Sequence, residues 1–303
     1  MRESIPMRLI ADSGSTKTAW ALVGSDGRMH QSFRTGGINP VLLSDADITS
    51  LLATELTPHL AGETPRAVCF YGAGCRPDQR ERMQRHLSVA TGCTDVFVGS
   101  DLLGACRALC GHEMGVCCIL GTGSASCLYD GRDIIAQTPS LGYVIGDEGS
   151  GTALGRRLLG DVFKAQLPEA VCQSFLSQTG LTVSSAIEKV YRQPWPNRFM
   201  ASFTPFLAEN IGVPEIEALV TDEFRRFLQR NVKAYGHPEL PVGFVGSIAH
   251  YFRPQLEQAL RTEGMRLGRI EASPLQGIVN YHFLSFASKR QVVAALLNIF
   301  LNL

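Results

Sequence analysis

The stretch Asp12-Ser13-Gly14-Ser15-Thr16-Lys17-Thr18 lies between two apolar runs, residues 7–10 and 18–23. Each run has the composition of a short strand, which predicts a strand-loop-strand unit. Glycine permits a close backbone approach, and hydroxyls, amides and a lysine suit a bound phosphate. An ordinary β-hairpin with a polar turn accounts for the same residues. The stretch is not a Walker loop, because no Gly-Lys-Ser/Thr ending opens a helix here.

A second glycine turn, Gly121-Thr122-Gly123-Ser124, follows the apolar run 116–120 and precedes the strand-like residues 125–129. A strand that is apolar at every position is typical of one covered on both faces. Two strand-loop-strand units about a hundred residues apart indicate a duplicated element that holds one polyphosphate from both sides. The pair is far more specific than either loop alone.

The rest of the chain fits an α/β protein of two halves. After the opening strands, the first half alternates helices, such as residues 45–60 and 76–90, with strands. From Gly151 onward the pattern is mostly helical, and single helices are predicted over 197–210, 214–234 and 251–263. Strands are predicted at 242–245 and 269–272.

The amino-acid composition limits the classes of function that this chain can have. The chain has 303 residues, 45% of them hydrophobic, which is enough for two packed domains. Lysine plus arginine equals aspartate plus glutamate at 28 each, so no basic face for nucleic acid or an anionic membrane is implied and a small-molecule partner is expected.

The nine cysteines form no disulfide framework and indicate buried thiols in a cytoplasmic protein. We expect no signal peptide before Met7, and the apolar C-terminal segment is too interrupted by charge to span a bilayer.

The two loops resemble the phosphate loops of the superfamily of actin, sugar kinases and heat-shock chaperones. Within it the chain is most similar to the BadF/BadG-type ATPases, whose members include N-acetylglucosamine kinases. The resemblance covers residues 8–277 and rests also on four further motifs. These are Ser100-Asp101-Leu102-Leu103-Gly104-Ala105, Gly146-Asp147-Glu148-Gly149-Ser150, Gly246-Ser247-Ile248-Ala249 and Ser273-Pro274-Leu275-Gln276-Gly277.

The resemblance implies two ribonuclease H-like domains of the actin-type ATPase fold around a nucleotide cleft. The domains are expected at residues 1–115 and 116–282, with the segment 283–303 packing back on the first. Closure of the cleft on the sugar is expected to exclude water. A homodimer is compatible with the family, but the sequence does not establish one.

The same resemblance assigns Asp101 as the base that activates the acceptor hydroxyl of a sugar. Its position at a strand end also suits the N-cap of a helix over 102–109. Asp12 is expected near Mg²⁺ through water, since Mg²⁺ keeps much of its hydration. A turn-forming aspartate is the structural alternative there, and Lys17 suits either a phosphate contact or a solvated hairpin charge.

The remaining site residues are implied in the same way. For ATP they are Ser13, Gly14, Ser15, Thr16, Lys17, Gly121, Thr122, Gly123, Ser124, Gly246 and Ser247, with Gly277 as a further candidate. For the sugar they are Asn39, Gly142, Asp147 and Glu148. The relatives that phosphorylate N-acetylglucosamine carry a tryptophan and two glycines before the acid pair, where this chain has Ser140-Leu141-Gly142-Tyr143. Whether Leu141 and Tyr143 form an acetamido pocket is left open by the sequence.

Two other functions compete with an ATP-dependent amino-sugar kinase. An iron–sulfur activator ATPase of a dehydratase system would carry a cysteine beside the second loop, whereas Cys117 and Cys118 lie inside the preceding strand. A non-catalytic sugar sensor would normally add a helix-turn-helix at the N-terminus, and we expect no room for one before Met7.

Overall fold

The computed structural model describes residues 7–14 and 16–283. It divides into two compact units. One unit ends at His112 and resumes at Pro274, and the other is Glu113–Ser273. Residues 274–282, which the sequence analysis assigned to the second domain, thus belong to the first unit. The reason is local packing, since a Cβ on Gly277 would lie 2.7 Å from Cα of Ala108 in that unit.

The first unit is built on a five-stranded sheet of order β3-β2-β1-β4-β5. The strands are β1 (Arg8–Ser13), β2 (Lys17–Val23), β3 (Met29–Gly36), β4 (Ala67–Gly72) and β5 (Val96–Ser100). β1, β2 and β3 form an antiparallel meander, whereas β1, β4 and β5 are parallel. The carboxyl ends of the three parallel strands therefore meet at one edge of the sheet.

Helices flank this sheet. They are α1 (Asp45–Leu51), α2 (Thr57–Leu60), α3 (Pro77–Thr91) and α4 (Asp101–Cys110), and a π-helical turn, Leu52–Leu56, joins α1 to α2. A further helical segment covers residues 275–283. Of the predicted segment 283–303, only Phe283 is among the described residues. One apolar core, which includes Trp20, Phe70 and Met83, lies between the sheet and α1 to α3.

The second unit repeats the same sheet. Its strands are β6 (Gly115–Leu120), β7 (Ser124–Tyr129), β8 (Ile134–Gln137), β9 (Pro241–Val245) and β10 (Arg266–Glu271), in the order β8-β7-β6-β9-β10. β6, β7 and β8 are antiparallel neighbours, and β6, β9 and β10 run parallel. The order and the directions match those of the first sheet, so the predicted duplication is confirmed at the level of topology.

The helices of the second unit lie mainly between β8 and β9. They are α5 (Gly142–Ile145), α6 (Gly151–Phe163), α7 (Glu169–Thr179), α8 (Val183–Tyr191), α9 (Pro196–Ala201), α10 (Thr204–Glu209) and α11 (Pro214–Phe227), followed by a π-helical turn (Leu228–Val232) and a 3-10 turn (Lys233–Tyr235). After β9 come α12 (Ser247–Tyr251) and α13 (Arg253–Thr262). Within the described residues, none of the helices has the length and apolar character needed to cross a membrane.

One predicted helix was wrong, and one strand was missed. The single helix over 197–210 is two helices, because Pro205 has no amide to continue the hydrogen-bond ladder of α9. The predicted helix 251–263 is confirmed as α13, which begins two residues later, at Arg253. Strand β8 was missed, because its residues are half-buried or exposed and lack the apolar alternation of a strand that faces a core.

Candidate active site

The first glycine loop is the turn of the β1–β2 hairpin. Ser13 and Thr18 are paired across the two strands, and the Gly14 amide donates a hydrogen bond to the Lys17 carbonyl over 2.9 Å. Gly14, Thr16 and Lys17 are exposed, so they are open to a ligand. Ser15 lies outside the described residues. The loop is thus a hairpin in geometry, and a hairpin whose turn residues are exposed is compatible with phosphate binding.

Ser13 has a different environment from the rest of the loop. Its side chain is fully buried, and its hydroxyl lies 2.7 Å from the Thr18 hydroxyl. The hydroxyl also accepts from the Ile38 amide over 3.0 Å and donates to the Ile38 carbonyl over 3.1 Å. Ser13 therefore ties the first loop to the segment that carries Asn39.

Asn39 begins a tight turn after β3. Its Oδ1 accepts from the Val41 amide over 3.0 Å, and its carbonyl accepts from the amides of Leu42 and Leu43. A Cβ at Gly74 would lie 2.1 Å from Asn39 Oδ1. Gly74 also has φ +76°, which favours glycine. The sequence analysis did not identify Gly74, although the glycine pair in Gly72-Ala73-Gly74 is a visible signal of a close approach.

Asp12 and Asp101 lie at the carboxyl edge of the first sheet. Asp12 is the fifth residue of β1, and Asp101 begins α4 directly after β5. The Oδ1 atom of Asp101 accepts from the Leu102 amide over 2.8 Å. The N-cap of α4 is Ser100, whose hydroxyl accepts from the Leu103 amide over 3.1 Å. The alternative in which Asp101 is the cap was therefore wrong, because the helix begins one residue earlier than predicted.

Burial raises the pKa of both carboxyl groups. For Asp12 burial is the main cause, the negative charge of Asp101 adds to it and Lys17 opposes it, so that the pKa is raised to about 7. For Asp101 burial raises the pKa, and hydrogen bonds from the amides of Leu102 and Asp101 itself oppose the rise. Two neighbouring acids with raised pKa values are typical of functional sites, because each would be stabilised by a proton or a cation.

The second glycine loop is the turn of the β6–β7 hairpin. Leu120 pairs with Ser124, and the Gly121 amide donates to the Gly123 carbonyl over 3.0 Å. The start of α6 supports the loop, since the Gly151 amide donates to the Gly121 carbonyl over 2.8 Å. The Thr152 hydroxyl donates to the Thr122 carbonyl over 2.6 Å. Sequence reasoning did not identify Thr152, which looks like an ordinary residue of the first helical turn.

Asp147 lies against this second loop. Its Oδ1 accepts from the Ser124 amide over 3.3 Å, and a Cβ on Gly123 would lie 3.1 Å from its Oδ2. Asp147 has φ +56°, an uncommon value for a residue with a side chain. Burial raises the pKa of its carboxyl group, and the hydrogen bond from Ser124 opposes that rise. The structure thus brings Asp147 and the second glycine loop together.

The Glu148 side chain binds Arg230 and Asn231, which lie outside the second glycine loop. Its carboxylate forms an ion pair with Arg230 and accepts from Asn231 Nδ2 over 3.2 Å, and its side chain is only 12% exposed. Burial favours a raised pKa, but the hydrogen bonds from its own amide, Asn231 and Arg230 outweigh burial and lower the pKa. The two adjacent acids therefore have different environments, and only Asp147 contacts the loop.

The segment before the acid pair forms the short helix α5. Gly142 opens it with φ +73°. Leu141 is 55% exposed, whereas Tyr143 is partly buried and packs on the core of the second unit. These two side chains consequently have different surroundings.

Gly246, which directly follows β9, packs closely against the second glycine loop. It has φ +124°, and a Cβ there would lie 2.2 Å from the Leu120 carbonyl oxygen. Any other residue would push α12, which begins at Ser247, away from the loop. Gly277, the further candidate for binding ATP, instead packs on Ala108 in the first unit. Cys117 and Cys118 are buried within β6.

The chain is similar to a solved structure from Porphyromonas gingivalis described as a candidate N-acetylglucosamine kinase. The two are 45% identical with a TM-score of 0.89, and the match covers 91% of this chain and 99% of the other. The chain belongs to this kinase family. No family model matches the chain, and no curated protein does either.

More distant structures share the fold of the kinase. A candidate N-acetylglucosamine kinase from Chromobacterium violaceum is 22% identical with a TM-score of 0.72, and the match covers 92% of this chain and 99% of that one. A ROK family glucokinase from Streptomyces griseus, in complex with glucose and AMPPNP, is 16% identical with a TM-score of 0.58 and coverages of 91% and 97%. The chain therefore has the two-domain actin-like fold of ROK sugar kinases, as predicted.

Proposed function

We propose that the chain catalyses the ATP-dependent phosphorylation of N-acetylglucosamine, with Asp101 as the catalytic base. The proposal depends on one observation above all. In a member of a sugar-kinase family, a partly buried aspartate with a raised pKa begins the helix next to Asp12 and the first glycine loop. The identity of the sugar is supported by the 45% identical relative, a candidate N-acetylglucosamine kinase.

The chemistry proceeds by direct transfer. The Asp101 carboxylate takes the proton from a sugar hydroxyl while that oxygen bonds to the γ-phosphorus of ATP. The bond from this phosphorus to the bridging oxygen breaks, and ADP leaves. Raising the pKa of Asp101 through burial makes its carboxylate a stronger base than an exposed one.

Asp12 fits a role as a ligand of Mg²⁺, directly or through water. Its carboxyl pKa is raised by burial and by Asp101, so a divalent cation nearby would stabilise its charged form. When bound, Mg²⁺ would neutralise charge on the phosphate oxygens of ATP. In the first unit, we assign the exposed Thr16 and the Lys17 ammonium to the phosphates, and Gly14 to permitting their close approach.

In the second unit, we assign the Gly121–Ser124 loop to ATP and the Gly246-Ser247 turn to its ribose. Asp147 and, in the first unit, Asn39 are assigned to sugar hydroxyls, because a carboxylate and an amide bind hydroxyl pairs well. The ion pair of Glu148 with Arg230 supports a role for Glu148 in holding the Asp147 segment rather than in sugar contact.

The proposal is tested by measuring ADP formation with Mg²⁺ across a panel of hexoses and amino sugars. The native protein is expected to turn over ATP with N-acetylglucosamine, and Asp101→Asn is expected to lower kcat by about 10²–10⁴-fold, as for loss of a general base. Asp78→Asn is a matched control, since Asp78 is an exposed aspartate in α3. No sugar-dependent turnover by the native protein, or full activity of Asp101→Asn, would contradict the proposal.

A further inference from the structure

A buried polar cluster is formed by residues of β4, α4 and the helical segment 275–283. We call Tyr71, Arg107 and His282 the Tyr71 cluster. Tyr71 is fully buried in β4, and its hydroxyl accepts a hydrogen bond from Arg107 Nη1 and lies 2.8 Å from His282 Nε2. The Arg107 guanidinium also lies 4.8 Å from the ring centroids of Phe97 and Tyr281.

The donor and the acceptor of each hydrogen bond in the Tyr71 cluster can be assigned. Burial, together with the positive charges of Arg107 and Arg8, lowers the pKa of His282 to about 4, and burial raises that of Tyr71, so both are neutral near pH 7. Arginine only donates, so the Tyr71 hydroxyl accepts from Arg107 and directs its own proton to His282 Nε2. His282 Nδ1 then carries the other proton, 3.8 Å from Cys69 Sγ. Replacing any one member leaves a partner without its bond.

The Tyr71 cluster connects the two acids of the candidate site. Tyr71 is paired in register with Asp12 across β1 and β4. Helix α4, which begins with Asp101 and carries Arg107, rests directly on Tyr71, since a Cβ on Gly104 would lie 2.9 Å from Tyr71 Cβ. The same tyrosine thus touches the helix of Asp101 and adjoins the strand of Asp12.

We propose that Tyr71 and Arg107, held by His282, are positioning residues that set the place of Asp101 relative to Asp12. This inference rests on the proposed role of Asp101. A base acts only within hydrogen-bond reach of the hydroxyl, and a displacement of 1 Å can cost about a hundredfold in rate. The helical segment 275–283 contributes to catalysis in this way, because His282 completes the cluster and Gly277 packs on Ala108 of α4.

The first test is Tyr71→Phe, which keeps the ring and removes the hydroxyl. We expect kcat to fall about tenfold while the KM values for ATP and sugar stay within about twofold, because positioning affects the transition state and not ground-state binding. Tyr129→Phe is the matched control, since Tyr129 is an equally buried tyrosine in β7 of the second unit. It is expected to keep kcat despite any loss of stability, which thermal unfolding of both variants measures.

The second test is rescue at His282. His282→Gln keeps an acceptor for the Tyr71 hydroxyl and is expected to retain most of kcat, whereas His282→Leu is expected to match Tyr71→Phe. The double variant Tyr71→Phe/His282→Leu is expected to be no slower than Tyr71→Phe, because Tyr71→Phe already removes the hydrogen bond that His282→Leu removes.

The outcomes separate the two proposals. If Asp101→Asn is inactive but Tyr71→Phe keeps native kcat, only the positioning inference is overturned. It is overturned equally if Tyr129→Phe loses as much kcat as Tyr71→Phe, or if His282→Gln and His282→Leu are equally slow. If Asp101→Asn is fully active, the proposed function itself fails.

Discussion

Gly74 and Asn39 are in such close contact that no side chain fits between them. A Cβ at Gly74 would lie 2.1 Å from Asn39 Oδ1 and 2.8 Å from its Cγ. Since the turn of Asn39 is also held to Ser13 through Ile38, one face of the proposed sugar site depends on a glycine from the loop after β4. This contact leads to a direct prediction about sugar affinity.

We predict that Gly74→Ala raises KM for the sugar at least about tenfold and leaves KM for ATP unchanged. The added methyl group must displace Asn39, and a lost hydrogen bond to a bound ligand is worth about 1.4 kcal/mol or more, which is tenfold. The measurement is steady-state kinetics with each substrate varied in turn.

Gly62→Ala is the matched control for Gly74→Ala. Gly62 has φ +83°, close to the φ +76° of Gly74, but nothing lies within 4 Å of a Cβ placed there. Both variants place a Cβ at a similar positive φ, and only Gly74→Ala adds the clash. Equal KM values for the sugar in the two variants would show that Asn39 does not contact it.

The raised pKa of Asp12 predicts how stability depends on pH in the metal-free protein. Because the folded-state pKa, about 7, lies above the ordinary value of 3.8, the folded protein binds more protons than the unfolded chain between these pH values. Stability is therefore expected to fall as pH rises from about 4 to 7. The fall is on the order of 4 kcal/mol, since one pKa unit corresponds to about 1.4 kcal/mol.

Asp12→Asn should remove this part of the pH dependence. The test compares urea unfolding of the native protein and the variant at pH 5 and pH 8 without divalent cations. The variant is expected to gain stability relative to the native protein as pH rises. An identical change with pH in both proteins would contradict the assigned pKa of Asp12.

The adjacent acids Asp147 and Glu148 are predicted to respond differently to neutralisation. Asp147→Asn should raise KM for the sugar about tenfold or more. Little stability should be lost, because the Asp147 carboxylate accepts one long hydrogen bond, 3.3 Å, from the Ser124 amide, and an amide oxygen can accept it too. Glu148→Gln should lower stability by about 1–3 kcal/mol, because it breaks the ion pair with Arg230. Its effect on KM should be smaller than that of Asp147→Asn.

Thermal unfolding and sugar kinetics of the two variants check this contrast. Each variant is the control for the other, since both changes replace one carboxylate with an amide at neighbouring positions. A larger rise in KM for Glu148→Gln would show that Glu148, not Asp147, binds the sugar.

The amino-acid sequence was sufficient for the two hairpins and most strands. Asp12 to Thr18 and Gly121 to Ser124 are short polar turns between apolar runs, and such patterns are local and follow from the period of a strand. Predictions failed where a local pattern was ambiguous. Pro205 interrupts a long apolar-periodic stretch that otherwise resembles a single helix.

The sequence by itself determined the residue types at the candidate site, including Asp12, Asp101 and Asp147, and the duplicated order of strands that carries them. Only the tertiary structure decided which partners these residues have. Ser13 proved to support the Asn39 turn, Glu148 to pair with Arg230, and Tyr71 to join β4, α4 and the segment 275–283. The physical reason is that hydrogen bonds and burial depend on distances between residues that are far apart in sequence, such as Tyr71 and His282, which are 211 positions apart.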